Sequence, residues 1–174
     1  MKTLERLRLS QTARPIETFT YWANNGQLLL SPPYQRGDVW GAIRQRNLIR
    51  SILLGVPIPS IIINDRFAAA WNSEREKLTT DDECIAVIDG KQRITAILAF
   101  LRGALNVPGE WFGMSGMVTF SELPMPRQRG FRQTPIQCCE GQLSGIEAER
   151  EVFELVNFGG VPQGESDLPT PEKK

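Results

Sequence analysis

Two short motifs carry side chains able to work on an anion. The first runs Pro33-Tyr34-Gln35-Arg36 and leads to Val39-Trp40. The second runs Ile85-Ala86-Val87-Ile88-Asp89-Gly90-Lys91-Gln92-Arg93-Ile94-Thr95. Each sets a Gln-Arg pair just outside a regular element. A guanidinium can grip a phosphate through two parallel hydrogen bonds, and an amide can donate to an oxygen or orient a water. In the second motif a buried strand turns through Asp89-Gly90 into a helix. A helix start offers free N–H groups and the positive end of the dipole, which favour an anion. Gly90 allows a crowded or left-handed turn there. Lys91 adds a point charge. Asp89 repels phosphate, so its uses are to hold Mg²⁺, to fix Arg93 or simply to cap the helix. The Walker pattern Gly-x4-Gly-Lys-Ser/Thr is absent, so this is a different loop from the P-loop. Tyr34 and Trp40 flank the first Gln-Arg pair, either as stacking surfaces for a base or as plugs that anchor the loop.

The elements that position these motifs follow from periodicity and punctuation. Residues 1–15 are polar and basic and read as a loose arm. Ile16 to Asn24 reads as a short helix stopped at Asn25-Gly26, and Gln27 to Ser31 as a strand ended by Pro32-Pro33. Ala42 to Leu54 is an amphipathic helix with Ile43, Leu48, Ile49, Ile52 and Leu53 as its apolar side. Gly55, Pro57 and Pro59 end it. Ser60 to Asn64 and Cys84 to Ile88 read as buried strands around a polar excursion at 65–83. Gln92 to Leu101 is the next helix. Residues 104–140 read as short strands and loops. Ser144 to Asn157 is a third long helix, with Ile146, Arg150, Phe153 and Val156 at helical spacing and a capping-box start. The tail from Gln163 is Pro-rich and charged and is expected to be disordered.

Composition narrows the chemistry. The chain has 174 residues, the size of one domain, with 20 basic and 20 acidic residues and no histidine. A Ser-His-Asp triad, a His-ligated zinc and a His-dependent nuclease centre are therefore excluded within this sequence. The even charge argues against a generic duplex-binding surface, although Arg44, Arg46 and Arg50, and again Arg127, Arg129 and Arg132, are clustered. Arg44, Arg46 and Arg50 are the candidate DNA-facing set. Cys84, Cys138 and Cys139 make no disulfide framework and suit a reduced, cytoplasmic setting. No apolar run is long enough to span a membrane, so no membrane partner is expected.

The blocks Tyr34-Gln35-Arg36 with Trp40, Leu48 to Pro59, Ile88 to Thr95 and Phe153 to Gly160 resemble, in the same order, the DGQQR-signature family of ParB/sulfiredoxin-like domains. That family includes the N-terminal halves of modification-dependent restriction proteins such as GmrSD and SspE. The resemblance covers roughly residues 16–160 and implies an α/β (α+β) fold, a small mixed sheet flanked by helices, preceded by the arm at 1–15 and followed by the tail at 161–174. It implies an NTP as ligand, Mg²⁺ as its companion, and a link to restriction or phage defence with DNA or a nuclease or other defence protein as partner. Carried over residue by residue, the nucleotide-binding set is Tyr34, Gln35, Arg36, Asp89, Gly90, Gln92 and Arg93, to which the charge of Lys91 adds a further phosphate contact. Asp89 and Gln92 are the candidates for hydrolysis, with Asp89 also the metal anchor. The signature here reads DGKQR, and Lys91 in place of the usual first Gln puts hydrolysis in question while leaving binding intact. Two further readings stay open: a DNA- or protein-binding adaptor with a vestigial pocket, and a phosphotransferase using a carboxylate such as Asp89 or Glu110 as base.

Overall fold

The computed structural model describes residues 6–7, 9–34, 40–71 and 83–158. Its centre is a mixed sheet of five strands: β1 (Leu9–Pro15), β2 (Leu28–Leu29), β3 (Ile61–Asp65), β4 (Ile85–Asp89) and β7 (Pro135–Gly141). The spatial order is β1-β7-β3-β4-β2. The β1–β7 and β3–β4 pairs are antiparallel, and the β3–β7 and β2–β4 pairs are parallel. A small antiparallel pair, β5 (Val107–Pro108) with β6 (Met117–Val118), stands apart. The helices are α1 (Ile16–Asn24), α2 (Ala42–Leu53), α3 (Lys91–Leu101), α4 (Met125–Gln133) and α5 (Ile146–Phe158). This is the α/β fold class expected from the sequence.

Alternation along the two central strands builds two cores. Ile61, Ile63 and Val87 face the larger one, filled by Phe19 of α1, Ile49 of α2, and Ile94 and Ile97 of α3. Ile62 and Ile88 face the opposite side and meet Val152 of α5 and Leu143. α5 therefore covers one face of the sheet, and α1, α2 and α3 cover the other.

Four expectations need correction. Residues 9–15, read as part of an arm, form an edge strand paired along its whole length with β7. Polar side chains suit an edge with one solvated face, and the Arg14 guanidinium clasps Glu140 through Nε at 2.6 Å and Nη2 at 2.8 Å. Residues 104–140 hold a helix, α4, started by Pro126 in its first turn, and a seven-residue strand, β7. Ile43 lies on the outer side of α2, 74% exposed, because the helix dips toward the core only from Leu48 onward. The inward side of α5 is rotated from the expected one: Glu149 and Val152 are buried, whereas Arg150 and Val156 are exposed. The tail at 161–174 and most of the excursion at 65–83 lie outside the described residues.

Candidate functional site

The turn from β4 into α3 is made by a single residue. Gly90 has φ 102°, and a Cβ there would sit 3.0 Å from the Ile61 side chain. The left-handed conformation and the tight space both require glycine. The helical ladder begins with Ile94 N–H donating to the Gly90 carbonyl at 3.0 Å. Helical geometry leaves the N–H groups of the first turn without intrahelical acceptors, beside the half-exposed Lys91. Asp89 does not cap the helix. Its carboxylate accepts instead from Nη2 of Arg93, which also donates to the Ser60 carbonyl at 3.2 Å. Of the roles open to Asp89 in the sequence, fixing Arg93 is the one observed. Arg93 is thus a braced side chain, 13% exposed, rather than a free clamp. Its Nε is buried without a partner among the described residues, and its Nη1 makes no hydrogen bond to any of them.

The first motif reaches this turn through its far end. The Trp40 N–H donates to Oε1 of Gln92 at 3.1 Å. A peptide N–H can only donate, so the amide orientation is fixed and Nε2 of Gln92 keeps its two donors for another oxygen. Trp40 is half-buried against the larger core, and its carbonyl accepts from Gln45 Nε2 at 3.1 Å. The plug reading therefore holds for Trp40. Gln35 and Arg36 lie outside the described residues.

Tyr34 goes elsewhere. Its hydroxyl donates to Oε2 of Glu149 at 3.0 Å, and its ring lies 5.6 Å from that of Phe153. Glu149 has no exposure and also receives Asn64 Nδ2 at 2.9 Å, Arg66 Nε at 3.0 Å and Arg66 Nη2 at 2.7 Å. Arg66 in turn lies over the Trp71 ring, 4.8 Å from its centroid. Burial, then the neighbouring Glu149 charge, pushes the Tyr34 phenol far above its ordinary range, so it stays a donor. This knot sits at the Asn64 end of β3, whereas Ser60 and Arg93 sit at the Ile61 end, on the order of 10 Å along the strand. The Tyr34 hydroxyl is thus engaged by Glu149 in this structure.

Sequence reasoning missed Asn64, Arg66 and Glu149. One signal was available: Ile62, Asn64 and Arg66 alternate on the α5-facing side of β3 and its extension, which demands a polar partner on that helix.

The expected DNA-facing set is divided. Arg46 holds Asn106 through its carbonyl at 2.9 Å and its Oδ1 at 2.7 Å, while Arg44 and Arg50 stay exposed. Cys138 is buried, and desolvation pushes its thiol up to about 11, which leaves it a poor nucleophile. Among the described residues no group of three or more Cys, Asp or Glu is placed to hold a metal ion, and the Asp89 carboxylate is engaged by Arg93. Magnesium brought by a nucleotide takes one or two protein carboxylates, and the one expected here, Asp89, is engaged by Arg93. No helix among the described residues is long and apolar enough to cross a membrane.

The family model described as GmrSD restriction endonuclease, N-terminal domain, matches residues 19–150, well over half of the chain. The chain belongs to that family. No curated protein and no solved structure matches it. The matched span runs from Phe19 within α1 to the first residues of α5, so the Trp40–Gln92 link, the Asp89–Arg93 pair and Glu149 all lie inside the GmrSD N-terminal domain. Membership ties the chain to restriction and phage-defence systems.

Proposed function

We propose that this GmrSD-type domain binds a nucleotide by its phosphate groups at the start of α3, as the nucleotide-responsive part of a restriction system. The observation that carries the reading is the Trp40–Gln92 hydrogen bond, which ties the end of the first motif to the first turn of α3. It leaves the Gln92 amide donors and the half-exposed Lys91 beside the first-turn N–H groups of one helix start, with Arg93 braced next to them by Asp89 and the Ser60 carbonyl. Such a set of donors suits a phosphate. The mixed sheet between helices agrees with the ParB/sulfiredoxin relation implied by the DGKQR signature, and that relation supplies Gln35 and Arg36 as further contacts. Lys91 stands where the usual signature has an amide, so binding with slow turnover fits better than fast hydrolysis.

Calorimetric titration of ATP, GTP, CTP and UTP tests this. At least one triphosphate binds the wild type, and Arg93→Ala weakens it at least tenfold, about 1.4 kcal/mol. Asp89→Asn, which frees Arg93 without removing it, retains binding. No heat from any nucleotide, or equal affinity after Arg93→Ala, overturns the assignment.

A further inference from the structure

The solvent side of α2 is unusual for a surface helix. Ile43, Asn47, Arg50 and Leu54 follow at spacings of four, three and four residues and form one stripe along α2 and its C-cap. Ile43 is 74% exposed and Leu54 68%. From Val39 to Asn64 the sequence contains three arginines and no acidic residue. Arg46 is taken by Asn106, which leaves Arg44 and Arg50 as the exposed charges of this face.

The solvent side of α5 is its complement. Glu147, Glu151 and Glu154 recur at four and three residues, all exposed, with Leu155 beside them at 57% exposure. Arg150 is the basic residue of this helix, and it is spent on Glu147 at 3.2 Å. One helix thus shows apolar residues with exposed arginines, and the other an apolar residue with glutamates. They cannot meet within one molecule, because α2 packs on the larger core and α5 on the opposite face of the sheet.

We propose that α2 of one copy docks on α5 of another, so that the domain associates head to tail with a second copy of this chain. Ile43 and Leu54 lie against Leu155, and Arg44 and Arg50 lie against the Glu147–Glu151–Glu154 row. Because the two stripes are on opposite faces, the contact is heterologous and extends into a ring or an open chain rather than a closed twofold pair. A helix-on-helix contact is small, so the association is weak, and charge complementarity sets its orientation and its sensitivity to salt. Large apolar side chains beside the arginines fit a protein surface better than a phosphate backbone.

Sedimentation velocity of the full chain at high concentration and low salt tests this. Wild type shows concentration-dependent association that falls as salt rises. Arg50→Glu and Glu151→Arg each weaken it about tenfold. Both residues are exposed, and unchanged circular dichroism and melting check that the variants fold. An equimolar mixture of the two variants regains association with the variants alternating, because α2 of each copy then faces the opposite charge on α5 of the other: the introduced pair in one contact and the native pair in the next. A wild-type chain that stays monomeric overturns the proposal, as does association indifferent to both substitutions, or a mixture that fails to recover. So does a monomer whose α2 arginines instead shift duplex DNA, which assigns that face to nucleic acid.

Discussion

The Tyr34 hydroxyl and the Glu149 carboxylate lie 3.0 Å apart, which fastens the beginning of the first motif to α5 on the far face of the sheet. The other end of that motif is fastened by Trp40 to Gln92. One carboxylate with no solvent exposure thus holds two strand-derived side chains, Asn64 and Arg66, and one motif residue. Taking two charges out of water is costly, and losing one partner leaves the other stranded.

Glu149→Ala is therefore expected to destabilise the domain by about 3 kcal/mol or more, because Tyr34, Asn64 and Arg66 lose the buried acceptor they share. Tyr34→Phe removes one hydrogen bond and costs about 1 kcal/mol. Urea unfolding followed by circular dichroism compares the two. Equal losses would mean that the Arg66–Glu149 pair is not what the knot rests on.

Gly90→Ala places a methyl group in a left-handed turn and 3.0 Å from Ile61. The backbone cost alone is about 1–2 kcal/mol, and the contact with Ile61 adds to it. A drop in melting temperature is expected together with loss of nucleotide binding. By contrast, Gly103→Ala, also at positive φ but with open space around its Cβ position, should lower melting without touching binding.

Arg46 and Arg44 should behave differently even though both belong to one cluster in the sequence. Arg46→Ala breaks two hydrogen bonds to Asn106 and costs about 1 kcal/mol, whereas Arg44→Ala stays within about 0.5 kcal/mol. Thermal melts of the two variants check this. A larger loss for Arg44 would contradict the clasp.

Stability should fall at both pH extremes for identifiable reasons. The Arg14 hydrogen bonds hold the Glu140 carboxyl below its ordinary value of 4.5. A depressed carboxylate stabilises the fold above its unfolded pKa, and that contribution fades as pH drops below about 4.5. At the alkaline end, burial raises the Cys138 thiol from 9.0 to about 11 and lifts the Tyr34 phenol as well. Raised acids favour the folded state below their unfolded pKa values, and that advantage is lost as pH climbs from about 9 upward. Melting temperature against pH should show both shoulders. Cys138→Ser should flatten the alkaline one, and Glu140→Gln the acidic one.

Much of the frame was legible because it follows from local rules. Gly90 between a β-branched strand and an amphipathic helix read directly as a strand-turn-helix, and α1 begins and ends where its period and Asn25-Gly26 place it. Non-local features were not legible. Residues 9–15 are a strand only because β7, more than a hundred residues later in the chain, pairs with them. α5 turns Glu149 inward only because Arg66 waits on the extension of β3, whereas a helical wheel assigns every glutamate to water. Arg93 read as a clamp from its position in the helix, with bracing by Asp89 four residues earlier among the readable options, whereas its second acceptor, the Ser60 carbonyl, depends on how β3 and β4 register.

Hydrogen–deuterium exchange of the full chain with and without a saturating nucleoside triphosphate tests the central claim most directly. Phosphate at the helix start predicts slowed exchange at the amides of Lys91, Gln92 and Arg93, with Arg93→Ala abolishing the effect. Unchanged exchange there, or protection confined to the cavity of about 240 Å³ formed by Arg6, Gln142 and Ser144 near the start of α5, would contradict it.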